Sequence, residues 1–282
     1  GIVVYGDSTS QLKYRKWDGV SWSGELNAGS ALDSAPYFVQ AVSRPPYVNS
    51  RRNDITVLVT TSGGKLHALR WNGGAWGDQV QMTTNPAQVT SDVAGMTYER
   101  TTGDAIVIWG TAAQEIRYRK FTTAWQTEQI AYSGLGDNAS WLSVAGDRLF
   151  GQNNVSVIWN DAGQNIQFGM WNGSTWETRP AAVATDQIDR RNVDTAWEKH
   201  TGKAMFVFAK KSPDGKELSW RTWTSAGGFS AVTQQAGALS QKIRWLQLQP
   251  DAKSNQLMVL ALDIGGDLSS RRWNGSAWDS AF

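Results

Sequence analysis

The sequence predicts an all-β chain assembled from repeated units, and three observations carry that prediction. Trp17, Trp71, Phe121, Trp171, Trp223 and Trp273 recur at separations of 54, 50, 50, 52 and 50 residues. Five positions before each of these aromatics stands Leu12, Leu66, Ile116, Ile166, Leu218 or Leu268. A tight turn and usually a second aromatic follow, as in Trp171-Asn172-Gly173-Ser174-Thr175-Trp176. A period of this length with strand-type composition is the size of one propeller blade.

The elements of one unit follow in order. The inner strand is read at residues 37–41, 93–98, 141–145, 193–197 and 243–248, where small residues (Ala41, Ala94, Gly95, Ala145, Ala196) suit a crowded axis. The second strand is a short apolar run, at 2–5, 55–59, 105–109, 155–159, 204–208 and 257–262. These runs are apolar at successive positions, which is the pattern of a strand covered on both faces. The third strand ends on the recurrent aromatic. Asn-Gly or Asp-Gly then turns the chain into the fourth, because both residues tolerate positive φ. The turn is clear at Trp17-Asp18-Gly19, Trp71-Asn72-Gly73, Trp171-Asn172-Gly173 and Trp273-Asn274-Gly275. It is one residue shorter between Phe121 and Trp125, and looser between Trp223 and Phe229.

Six units result, at about 1–33, 34–86, 87–136, 137–187, 188–238 and 239–282. They alternate. Units one, three and five share Tyr14-Arg15, Tyr118-Arg119 and Trp220-Arg221; units three and five also share Tyr98-Glu99 and Trp197-Glu198. An alternating ring closes on an even count, so the expected fold is a single six-bladed β-propeller of three double repeats. Its first blade lacks an inner strand in this chain, which leaves a seam. Gly1 falls inside a strand candidate, so the chain reads as a piece of a longer, secreted precursor.

Composition narrows the function. The chain has 282 residues, 40% hydrophobic and 18% charged, with a net charge of +2. The pairs Arg51-Arg52, Arg190-Arg191 and Lys210-Lys211 are isolated, whereas a nucleic-acid binder concentrates its cations. No cysteine and only His67 and His200 are present, so thiolate and multi-histidine metal sites are excluded. No apolar run approaches the roughly 20 residues of a membrane span. No carboxylate pair, Ser-His-Asp set or phosphate loop can be assembled. Glu99 and Glu198 occupy equivalent repeat positions, which argues structural duty, and Arg244 on an inner strand has no evident partners. The chain is therefore expected to be non-enzymatic and to need no cofactor.

Sixteen tryptophans are the chemical feature that remains. Strand alternation sets Arg15 beside Trp17, Arg119 beside Phe121, Arg221 beside Trp223 and Arg271 beside Trp273. Such a pair serves either as a stabilising cation–π contact or as a sugar subsite, in which the ring stacks on a pyranose and the guanidinium binds its hydroxyls. Trp71 and Trp171 hold the same place in units without that pair. The second aromatics Trp22, Trp76, Trp125, Trp176 and Trp278 serve either blade packing or an edge contact.

The run from an Ile/Val strand through a short turn to Leu-x-x-x-x-Trp-Asn-Gly-x-x-Trp resembles the repeats of bacterial propeller lectins, including fucose-binding ones, and units such as 103–125 and 255–278 carry that likeness. It resembles more closely the paired repeats of large bacterial and archaeal surface proteins. The resemblance spans essentially the whole chain. It implies a propeller with sugar pockets at blade junctions, built from Trp and polar neighbours. The expected function is an extracellular module for adhesion, with a glycan or a surface protein as ligand. The alternative is a structural subunit of a surface filament or coat, self-associating or accepting a donated strand at the open blade. A glycoside hydrolase is the third reading.

Overall fold

The computed structural model describes residues 1–46, 53–87, 90–185, 190–211, 214–234 and 239–279, and within them every regular element is a strand. The Arg51-Arg52 pair lies outside the described residues.

Six antiparallel sheets follow one another along the chain. Blade one holds Ile2–Gly6, Leu12–Lys16 and Leu26–Asn27. Blade two holds Pro36–Ser43, Ile55–Thr61, Leu66–Trp71 and Trp76–Thr83; blade three, Ala94–Tyr98, Ala105–Thr111, Glu115–Phe121 and Gln129–Tyr132. Blade four holds Ala139–Gly146, Val155–Asp161, Asn165–Trp171 and Val183–Ala184. Blade five holds Val193–Trp197, Ala204–Ala209, Leu218–Thr224 and the short Gly228–Phe229 and Thr233–Gln234. Blade six holds Ile243–Pro250, Leu257–Asp263 and Leu268–Trp273. This is the expected six-bladed propeller, with three strands in blade one. In blade six the expected fourth strand is reduced, among the described residues, to a bridge between Trp273 and Trp278.

The Asn-Gly turns form as their chemistry requires. Asn172 Oδ1 accepts from the main-chain N–H groups of Ser174 (3.0 Å) and Thr175 (2.9 Å), and Gly173 takes φ +95°. Asn72, Asn274 and Asp18 cap their turns in the same way. Each turn pairs its two aromatics across a bridge with their rings tilted or edge-on, as with Trp17 and Trp22 or Phe121 and Trp125.

The alternation read from the sequence is also structural. Inner strands of blades two, four and six run eight residues, those of blades three and five only five. Each long strand carries a bulge, at Tyr37, Ser140 or Arg244. A bulge inserts one residue and re-aims its neighbour. Here the re-aimed neighbours are Phe38, Trp141 and Trp245, whose rings meet across the axis at centroid distances of 6.3 and 6.5 Å.

The core lies between blades. Junctions one/two through five/six each enclose a buried apolar cluster, such as Leu58, Leu66, Met96 and Trp109 between blades two and three. Second strands in the middle of the series are buried on both faces, as Ile55–Thr61 and Ala204–Ala209 show. Among the described residues no cluster joins blade six to blade one. Along that seam Val3 (47%), Met258 (41%) and Leu268 (69%) stay exposed.

Candidate functional site

Each recurrent aromatic of the third strand faces the preceding blade, and that rule places all the candidate residues. Trp71, Phe121, Trp171, Trp223 and Trp273 face a packed junction and are buried; Trp17 faces the seam and is 38% exposed, with Trp22 beside it. Arg15 is exposed on the same seam face and donates to the Tyr5 hydroxyl (3.4 Å). Arg119 lies at junction two/three, 3.9 Å from Glu128. Arg221 is buried at junction four/five, donating to the Ser230 carbonyl and lying over the rings of Phe168 and Phe229 at 4.8 and 5.2 Å. Arg271 is buried at junction five/six.

Arg221 thus caps Phe168 and Phe229 in place of the expected pairing with Trp223. Side chains two apart on a strand stand parallel and aim together at the preceding blade, and rings are capped from that blade. Lys16 lies over Trp71, Lys120 over Trp171 and Lys203 over Trp273, at 5.6, 5.6 and 5.7 Å. Arg70 reaches from blade two to lie 3.6 Å over Phe121.

The odd-to-even junctions share one design. An aromatic of the odd blade meets both tryptophans of the even blade: Tyr14 with Trp71 and Trp76, Tyr118 with Trp171 and Trp176, Trp220 with Trp273 and, through it, Trp278. Behind two of these cages sits a buried carboxylate. Glu99 accepts from Trp171 Nε1 (2.8 Å) and pairs with Lys120 (2.9 Å); Glu198 accepts from Trp273 Nε1 (2.7 Å) and pairs with Lys203 (3.3 Å). A buried carboxylate needs such partners to stay charged. These two glutamates therefore have the structural duty that their repeated position implied.

The three cages differ in what fills them. In blade three Tyr132 packs against Trp176 (5.3 Å) and Trp159 (6.0 Å), accepts from the Met170 N–H and donates to the Glu177 carbonyl. Burial pushes its phenol up, well above the ordinary tyrosine range. The equivalent residue of blade one, opposite Leu12 as Tyr132 is opposite Ile116, is Ala28, followed by Gly29. The first cage consequently stays open. A cavity of about 630 Å³ has Tyr14, Trp71 and Trp76 for its apolar wall and Asn27, Asp78 and Gln79 for its polar one. Gln79 ties the two blades together by accepting from the Ser30 N–H (2.7 Å) and donating to the Ser30 carbonyl (3.2 Å). Asp78 holds Arg70 at 2.9 Å while keeping 45% of its side chain exposed. Of this lining, the candidate residues from the sequence supply Trp71 and Trp76. Tyr14, Asn27, Asp78 and Gln79 were missed; the one available signal was the small Ala28-Gly29 pair aligned with a bulky Tyr132.

No family model matches the chain, and no curated protein sequence matches it. Solved structures do. The BP39L lectin from Burkholderia pseudomallei superposes with a TM-score of 0.66 at 13% identity, over 99% of this chain and 79% of that one. The SapL1 lectin, solved with alpha methyl fucoside, gives 0.53 at 16% identity, over 99% and 90%. The lectin of Aleuria aurantia, described as a six-bladed β-propeller with a novel fucose recognition mode, gives 0.52 at 12%, over 99% and 88%. The chain has the fold of the β-propeller lectins. The resemblance drawn from the Trp-Asn-Gly repeats thus holds for architecture, and at these identities it is the architecture that is shared.

Proposed function

We propose that the chain is a non-catalytic, extracellular glycan-binding module whose ligand enters the cage between blades one and two. The observation that carries this reading is the open aromatic cavity at a position that Tyr132 fills in the next double unit. Its volume lies within the range of small-ligand sites. The half-buried Trp76 ring offers a face for the C–H side of a pyranose, and Asn27, Asp78 and Gln79 offer groups for its hydroxyls. The lectin fold supports the same reading. The test is a glycan array followed by titration calorimetry with the best neutral glycan. Trp76→Ala is expected to abolish binding and Trp176→Ala to leave it intact; a Trp76→Ala protein that binds like the parent overturns the proposal.

The reading as a structural subunit rests on a different observation, the apolar residues left exposed on both sides of the seam. Light scattering of the purified chain separates the two. A monomer across the micromolar range favours the binding module, and concentration-dependent growth favours the subunit.

A further inference from the structure

The second candidate site is at one end of the axis. The inner strands of blades two to six finish on equivalent residues, Ser43, Tyr98, Gly146, Trp197 and Pro250, set by their partners on the next strand. Two residues further on stand Pro45, Arg100, Arg148, Lys199 and Ala252. Three consecutive blades, three to five, thus turn a cation into the same place. Arg100, Arg148 and Lys199 all line one cavity of about 430 Å³, together with Asp147, with Val42 and Pro45 as apolar wall and Ser43 and Thr97 supplying hydroxyls. A second cavity of about 410 Å³ continues from Arg148 along the inner strands to Arg191 at the other end.

The three cations crowd one another. Burial, and then the charges of Arg100 and Arg148, hold the Lys199 ammonium below its ordinary range. Arg148 is held low by burial and is fixed in place by donating to the Asp251 carbonyl (2.6 Å). Two carboxylates face these three cations, Asp147 beside Arg100 and Asp251 beside Arg148, so positive charge stays in excess. Asp147 accepts from the Leu149 N–H (2.8 Å) and from Asn154 (2.9 Å), and burial pushes its carboxyl above the usual range. Asp251 caps its own turn through Lys253 and Ser254. Like charges held together in a partly buried cavity raise the energy of the empty site, and a bound anion lowers it.

We propose that this axial mouth binds the anionic group of an acidic saccharide, a carboxylate or a sulfate ester, independently of the cage at the first junction. Two guanidinium groups and an ammonium satisfy a planar or tetrahedral oxyanion. The adjoining hydroxyls and proline wall suit the rest of a sugar. The saccharide half of the assignment rests on the glycan-binding reading; the anion half stands on the cations alone.

The experiment is titration calorimetry of the intact chain with glucuronic acid, glucose 6-sulfate, glucose and inorganic sulfate, at low and high salt. Both acidic sugars are expected to bind more tightly than sulfate, and glucose not to bind at this site. Lys199→Gln and Arg148→Gln should each weaken acidic-sugar binding about ten-fold or more, the loss of one charge-assisted hydrogen bond. Affinity should also fall with salt. Thermal melts show whether each variant is folded, and Arg100→Gln, away from the Asp251 contact, replaces Arg148→Gln if that one is not. Trp76→Ala should leave these affinities unchanged. Acidic-sugar binding indifferent to all three cation substitutions, or no preference for acidic over neutral sugars, overturns the site. Sulfate binding as tightly as the acidic sugars overturns the saccharide assignment. Loss of neutral-glycan binding in Trp76→Ala bears on the cage alone, so the two proposals fail separately.

Discussion

One position on the third strand shows how far a single residue controls each junction. Opposite Val57, Val157 and Val259 stand Leu69, Gly169 and Arg271. Leu69 is large, and the residue it faces in blade one is small; Gly169 is small, and Tyr132 fills the space. A Cβ on Gly169 would come within 2.5 Å of Tyr132 Cε2, so the pair is exchanged as a unit. Tyr132→Ala should cost about 3–5 kcal/mol, as for other buried aromatics, measured by urea unfolding. Gly169→Ala should be destabilising in the parent and nearly neutral beside Tyr132→Ala, because the clash then disappears. Additive losses would show that the two residues are not coupled. The sequence displayed the tryptophans and arginines of these sites because they repeat. It did not display which were exposed, since Trp17 and Trp71 sit in nearly the same local sequence and differ only in whether a blade packs in front of them.

Hairpins and inner strands carry the next level. The Trp-Asn-Gly turn was legible because its side-chain cap and its positive φ are local requirements. Gly173→Val should cost about 1–3 kcal/mol, the usual strain of a β-branched residue in the left-handed region. Its added Cβ would also lie 3.1 Å from Asn153 Cβ, whereas at Gly275 the corresponding contact is a relaxed 3.5 Å. The melting temperature should therefore fall further for Gly173→Val than for Gly275→Val, and equal falls would count against the contact. The bulges of the long inner strands were not legible. Tyr37, Ser140 and Arg244 have nothing in common chemically, and an extra residue is visible only once the register of the neighbouring strand is known. The axial cations were missed for a related reason. Arg100, Arg148 and Lys199 lie about fifty residues apart and become neighbours only when three blades converge.

At the scale of the whole molecule, the blade count and the alternation were readable from spacing alone, and the unequal junctions were not. Leu66, Ile166 and Leu268 are equivalent in the repeat, yet Leu66 and Ile166 are fully buried and Leu268 is 69% exposed. Leu66→Ala should cost about 2–5 kcal/mol. Leu268→Ala should stay within about 0.5 kcal/mol of the parent, as exposed substitutions do. Chemical denaturation of the two variants compares them directly, and a matching loss at Leu268 would show that the outer face of blade six is covered in solution.

The odd-to-even junctions share an aromatic cage. Blades three and five offer a glutamate and a lysine to the tryptophan of the even blade that follows, and blade one offers Lys16. Blade two offers Arg70 to Phe121, and blade four offers Phe168 to Phe206 and the Glu177 carboxylate to Trp223 Nε1 (2.8 Å). Loss of blade four alone would take Trp171 away from Glu99 and Glu177 away from Trp223. Loss or duplication of two consecutive blades would keep the odd-to-even order. The repeating unit of this architecture is therefore the pair of blades.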